Sequence, residues 1–265
     1  MESLRRERAD LAALATERAR RSSRTFAPVT SYWSAARSPR YSLIFALPLF
    51  LLYETLAASL ATTGGSNGVR NAADVALKTP FLIVSGTRGT LAFFATVVGI
   101  CVFLVARDLK RARDRLQPRL FILMLAESAV LALLLGIVVG TLTQRLLGAL
   151  TALAAPSVPP LASLGASTRL MLALGAGLYE ELLFRVLLVG GLAAALRFFL
   201  GKRSVAAGVI AACGGALIFS AFHYVGAYGD RFTLASFTYR AIAGLAFSAL
   251  YLVRGFGITA WTHAL

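Results

Sequence analysis

Runs of about 20 apolar residues alternate along the chain with short segments rich in arginine and lysine. The runs lie near 42–62, 91–106, 120–142, 170–196, 205–225 and 233–253, and a seventh begins at 256. A stretch such as "LALLLGIVVGTL" (131–142) has no alternation of period two, which contradicts a membrane β-barrel. Helices are then the remaining way to satisfy backbone groups in lipid. The pattern predicts an all-α, polytopic transmembrane helix bundle of about seven to eight helices. "DVALKTPFLIVS" (74–85) is too short to span and predicts an interfacial or re-entrant segment.

Composition agrees. The 265 residues are 58% hydrophobic and 15% charged, where soluble domains carry about a quarter charged residues. Mean hydropathy is +0.73. The net charge of +15 could suggest nucleic acid, but the cations sit at the ends of apolar runs and no nucleic-acid motif accompanies them. The lipid bilayer is the expected partner, and nucleic acid is not. Cys101 and Cys213 both lie in apolar runs and are read as small core residues.

Three regions follow. Residues 1–40, with nine arginines, form a basic cytoplasmic segment that could be an amphipathic surface helix. Residues 41–168 hold the N-terminal membrane helices, and 169–265 hold the helices expected to carry the chemistry. Arg107, Lys110, Arg111, Arg113, Arg115 and Arg119 mark one loop, Arg197, Lys202 and Arg203 another, and Arg254 follows the sixth run. The loops between them are poorer in cations. The positive-inside rule then predicts a multi-pass protein of the cell inner membrane with a cytoplasmic N-terminus.

Charges inside apolar runs are the informative residues. A central one costs about 2.5–3.5 kcal/mol on insertion scales, so it faces a bundle interior and finds partners. Here they are Glu54, Glu127, Glu180, Glu181, Arg185 and Arg240, with His223 and His263 as the only histidines. Arg240 reads as a structural partner for a buried acid, with Glu54 and Glu127 as candidates. Glu181 and Arg185 stand four apart, on one helical face, and can neutralise one another. Glu180 is rotated by about 100° and has no basic residue three or four positions on, so it is the carboxylate left free. One carboxylate and two histidines on three apolar helices can activate water and stabilise an oxyanion.

These residues resemble a known family. "EELLFR" (Glu180–Arg185) resembles the EExxxR motif of the CPBP family, the CAAX prenyl endopeptidases and bacteriocin-processing enzymes also called Abi. "FSAFH" (Phe219–His223) is similar to its FxxxH motif, and "WTHAL" to the start of its last motif. The resemblance covers about 170–265 and implies an intramembrane endopeptidase with its active site among the C-terminal helices. It implies Glu180 as the general base that activates water with His223, and His263 as oxyanion stabiliser, with Glu181 and Arg185 in support. Glutamate and histidine can ligate zinc, but no HExxH helix is present, so no metal and no cofactor is expected. The last motif's Asn or Asp would fall at position 267, beyond Leu265, and losing one oxyanion donor costs about 10²–10³ in rate.

The expected substrate is a membrane-embedded or lipidated peptide or protein, because a soluble peptide would have to enter an apolar bundle. Two other readings compete. One is a catalytically inactive membrane scaffold or immunity factor of the same fold, with the polar residues as helix glue. The other is an ion- or proton-coupled transporter, against which no repeated half is found.

Overall fold

The computed structural model of the chain describes residues 29–63, 69–111, 116–148, 164–201, 204–226 and 229–265. The expected surface helix near the N-terminus, and Arg113, Arg115, Lys202 and Arg203, lie outside them. The chain divides into Met1–Ala35 and Ala36–Leu265. Of the first unit the structure describes only the beginning of helix α1 (Val29–Arg37).

Among the described residues the second unit forms eight helices: α2 (Pro39–Thr62), α3 (Ala72–Ser85), α4 (Gly89–Arg111), α5 (Pro118–Leu147), α6 (Ala166–Leu200), α7 (Val205–Phe222), α8 (Leu234–Arg254) and α9 (Phe256–Ala264). Among the described residues there is no strand, and the all-α fold is as expected. Local chemistry sets the ends. Pro39 and Pro118 open α2 and α5 in the first turn, where the missing N–H costs nothing. Asn71, Ser204 and Thr233 cap α3, α7 and α8 by accepting backbone N–H groups. Gly255, at φ +80°, makes the one-residue turn between α8 and α9.

Among the described residues six helical stretches are long and apolar enough to cross a membrane: 39–62, 72–111, 118–147, 166–200, 205–222 and 234–254. Their outer faces are apolar, with Val84, Phe198 and Phe199 at least 80% exposed, as expected of surfaces that meet lipid. The stretch 72–111 is not one rod. It turns at Gly86–Arg88, and α3 packs back on α4 with the rings of Phe81 and Phe93 5.4 Å apart. A Cβ on Gly89 would lie 2.5 Å from the Leu82 backbone, so the hairpin needs glycine there. The segment 74–85 is thus a helix folded against its neighbour. The seventh run, α9, is nine residues long and packs among α2, α5 and α6.

The main core joins Leu49 and Tyr53 of α2, Met171, Leu178 and Tyr179 of α6 and Ala260 of α9. α7 presents a buried face of small residues, Gly208, Ala211, Ala212, Gly215 and Ala216, which lets helix backbones approach. At Gly215 an added Cβ would lie 2.4 Å from Val189 Cγ2.

The buried charges pair differently from the sequence reading. Arg254, read as a loop cation, is 2% exposed. Its Nε and Nη2 each donate to Glu127 at 2.6 Å, a bidentate pair between α8 and α5. Glu127 is therefore not the partner of Arg240, which pairs with Asp230 and lies 5.3 Å from the Tyr224 ring. Glu54 accepts from Lys78 at 2.9 Å and from Tyr179. Removing one partner of a buried pair strands the other charge. Arg254→Met alone is expected to cost about 3–5 kcal/mol. Adding Glu127→Leu should recover most of it, read from thermal unfolding in detergent; a double variant no more stable than the single would contradict the pairing.

Candidate active site

The middle of α6, Ala176–Val189, is a π-helix of 14 residues rather than the regular α-helix the sequence analysis assumed. Such wide turns, with i→i+5 bonds, are rare and usually short, and they recur at functional sites. Glu180, Glu181 and Arg185 all stand on it.

Glu181 is fully buried. Its Oε2 lies 3.2 Å from Arg185 Nε, the pair expected from their spacing. Its Oε1 has a partner that spacing could not reveal: His263 of α9 donates from Nδ1 at 2.6 Å. Arg185 is also fully buried. Its guanidinium lies 4.4 Å from the Phe219 ring centre and 5.5 Å from that of Phe247. Among the described residues none of its three nitrogens finds a hydrogen bond of good geometry, and the cation is held by the carboxylate and by ring faces.

Packing of α9 decides where His263 stands. Trp261 Nε1 donates to Phe45 O at 2.6 Å, and Gly257 N donates to Ser42 Oγ at 2.6 Å. The His263 ring stacks on Phe247 with centroids 4.3 Å apart. Gly177 lets α9 approach, since a Cβ there would lie 2.4 Å from Ala260 O. With Nδ1 committed to Glu181, Nε2 is the nitrogen left for a reacting group.

Glu180 is half-buried and takes no part in the Glu181–Arg185 pair. Its Oε1 accepts from Asn71 Nδ2 at 2.8 Å. His223, just past the end of α7, binds Phe219 O through Nδ1 at 2.9 Å. A carbonyl only accepts, so Nδ1 carries the proton and a neutral ring leaves Nε2 as an acceptor. Burial lowers the pKa of His223 below its ordinary value. The Glu180 charge and the Phe219 hydrogen bond oppose this, Arg240 adds to it and Asp230 opposes it. The imidazole is therefore neutral at pH 7. Both imidazoles flank the Phe219 ring, His223 at 4.9 Å and His263 at 6.5 Å between centroids.

The structure thus ties Glu181, Arg185 and His263 directly together. Glu180 and His223 lie within electrostatic reach of one another. Sequence reasoning missed Asn71 and Phe247 as parts of this site. Asn71 had a signal: a capping residue three before Asp74, at the head of an apolar run. Among the described residues, no three of His, Cys, Asp and Glu are grouped as metal ligands. Glu181, fully engaged by Arg185 and His263, does not fit a zinc donor set.

No curated protein and no solved structure matches the chain. A family model does: residues 163–265 match the type II CAAX prenyl endopeptidase Rce1-like family. That segment holds Glu180, Glu181, Arg185, His223 and His263, and it is the part of the chain whose motifs resemble that family.

Proposed function

We propose that this chain is a metal-independent, glutamate-type intramembrane endopeptidase. The observation that carries the reading is the different fate of two adjacent carboxylates: Glu181 is tied to Arg185 and His263, while Glu180 is hydrogen-bonded, among the described residues, at one oxygen and lies within electrostatic reach of a neutral His223. In this mechanism Glu180 Oε2 takes a proton from a water that His223 Nε2 helps to orient. The water oxygen bonds to the scissile carbonyl carbon, and the carbonyl oxygen becomes the oxyanion. His263 donates to that oxyanion from Nε2 while Glu181 holds its Nδ1. Collapse breaks the C–N bond, and the proton on Glu180 passes to the leaving amine.

The substrate in this reading is membrane-delivered, either lipidated or helical. A cavity of about 580 Å³ between α2, α4 and α6 supports that choice. Leu47, Phe50, Val98, Val102 and Leu182 line it, and it reaches Tyr179, the neighbour of Glu180. The decisive experiment compares N-termini in membrane proteomes of cells carrying wild type and Glu180→Ala. Termini that require Glu180, and that persist when metal chelators are added to isolated membranes, are expected. Identical termini in both strains would favour the scaffold reading, and loss on chelation would restore zinc.

The N-terminus is assigned to the cytoplasmic side of the inner membrane in the same reading. Arg107, Lys110, Arg111, Arg119 and Arg197 are exposed and remain as markers, although Arg254 no longer counts. Cysteines placed at positions 30 and 112, with Cys101 and Cys213 removed, should react with impermeant reagent only from the inside. Reaction of either from outside would overturn the orientation.

A further inference from the structure

We propose that Asn71 is a positioning residue for the reaction, holding Oε1 of Glu180 so that Oε2 faces the water. The inference rests on Glu180 as the base and adds α3, outside the matched segment 163–265, to the machinery.

Asn71 is 6% exposed and caps α3. Its Oδ1 accepts from Ala73 N at 2.9 Å and from Asp74 N at 3.4 Å. This settles the orientation of the amide: the oxygen faces the helix end, so the NH₂ group faces Glu180. The amide end is a donor and a carboxylate oxygen an acceptor, so the contact selects one Glu180 conformation. Gly175 makes the approach possible, since a Cβ there would lie 2.9 Å from Asn71 Cβ and 2.6 Å from Tyr53 Cε2.

The head of α3 is itself fixed. Asp74 Oδ2 accepts from Tyr53 at 2.7 Å and from Arg70 at 2.9 Å. Lys78 Nζ lies 2.5 Å from Asp74 Oδ1 and 2.9 Å from Glu54 Oε1. Two acids and two bases neutralise one another in this cluster, and Tyr179 joins it through Glu54. Both sequence neighbours of Glu180, Tyr179 and Glu181, are therefore anchored. Asn71 supplies the remaining anchor, on the carboxylate itself. A carboxylate held at one oxygen loses rotamer freedom before the reaction rather than during it.

The competing role is a plain helix cap, and aspartate separates the two. Asp caps a helix as well as Asn but has no N–H for Glu180 and sets a second carboxylate against it. The test uses Asn71→Asp and Asn71→Ser in the full chain in proteoliposomes. The probe is an internally quenched peptide built on a cleavage site found in membranes carrying the wild type. Both variants should keep the wild-type KM and lose about 10²-fold in kcat, and Asn71→Ser should keep the wild-type thermal midpoint. In Asn71→Asp the acid limb of the kcat profile should also move to higher pH, because like charges together bind protons more readily. Wild-type kcat and pH profile in Asn71→Asp, with cleavage still lost in Glu180→Ala, would overturn this inference alone. Cleavage that survives in Glu180→Ala would remove the base assignment and this inference with it.

Discussion

The Glu181–Arg185 pair is the constraint on which the site depends. A guanidinium and a carboxylate, both fully buried, sit one turn apart in the middle of the bundle. Either alone would be prohibitively costly in an apolar interior. Together they leave one carboxylate oxygen, Oε1, to hold His263 of α9. They also hold a cation between Phe219 and Phe247, the rings beside which the two imidazoles stand. One ion pair therefore positions the histidine of α9, organises the aromatic wall and excludes Glu181 from other work. Glu180 is left as the one member of the Glu–Glu dipeptide outside that pair, and it is the base proposed above.

Around that pair the helices are arranged by close approach. Gly177 admits α9, Gly175 admits Tyr53 and Asn71, and Gly215 admits Val189. Each contact replaces side-chain bulk with backbone proximity, which is how helices associate where the hydrophobic effect offers little. The hairpin of α3 and α4 follows the same logic at Gly89. Its capping residue reaches Glu180, which links a segment far from the family motifs to the proposed base.

Local chemistry was legible in the sequence, and chemistry between distant segments was not. The apolar runs marked the helices because lipid demands a continuous period, and the i, i+4 spacing of Glu181 and Arg185 marked their pairing. That spacing could not reveal the π-helix, because residues four apart stay near one face in either geometry. Nor could it reveal His263 on Glu181 or Asn71 on Glu180, contacts made across 82 and 109 positions. Arg254 shows the converse error. A cation after an apolar run reads as a loop marker, but α8 ends inside the protein and Glu127 meets it there. Arg240 likewise found Asp230, in a polar loop, instead of an acid within a span.

The division of labour between the two glutamates is tested most directly by comparing Glu180→Gln with Glu181→Gln in the same membranes. Stability would be read as thermal unfolding in detergent, and activity as cleavage of the wild-type substrate in the membrane. Glu180→Gln is expected to unfold like wild type and to cleave nothing. Glu181→Gln strands a buried guanidinium and is expected to lose about 3–5 kcal/mol of stability. A Glu181→Gln protein as stable as wild type, beside a Glu180→Gln protein that still cleaves, would contradict the account.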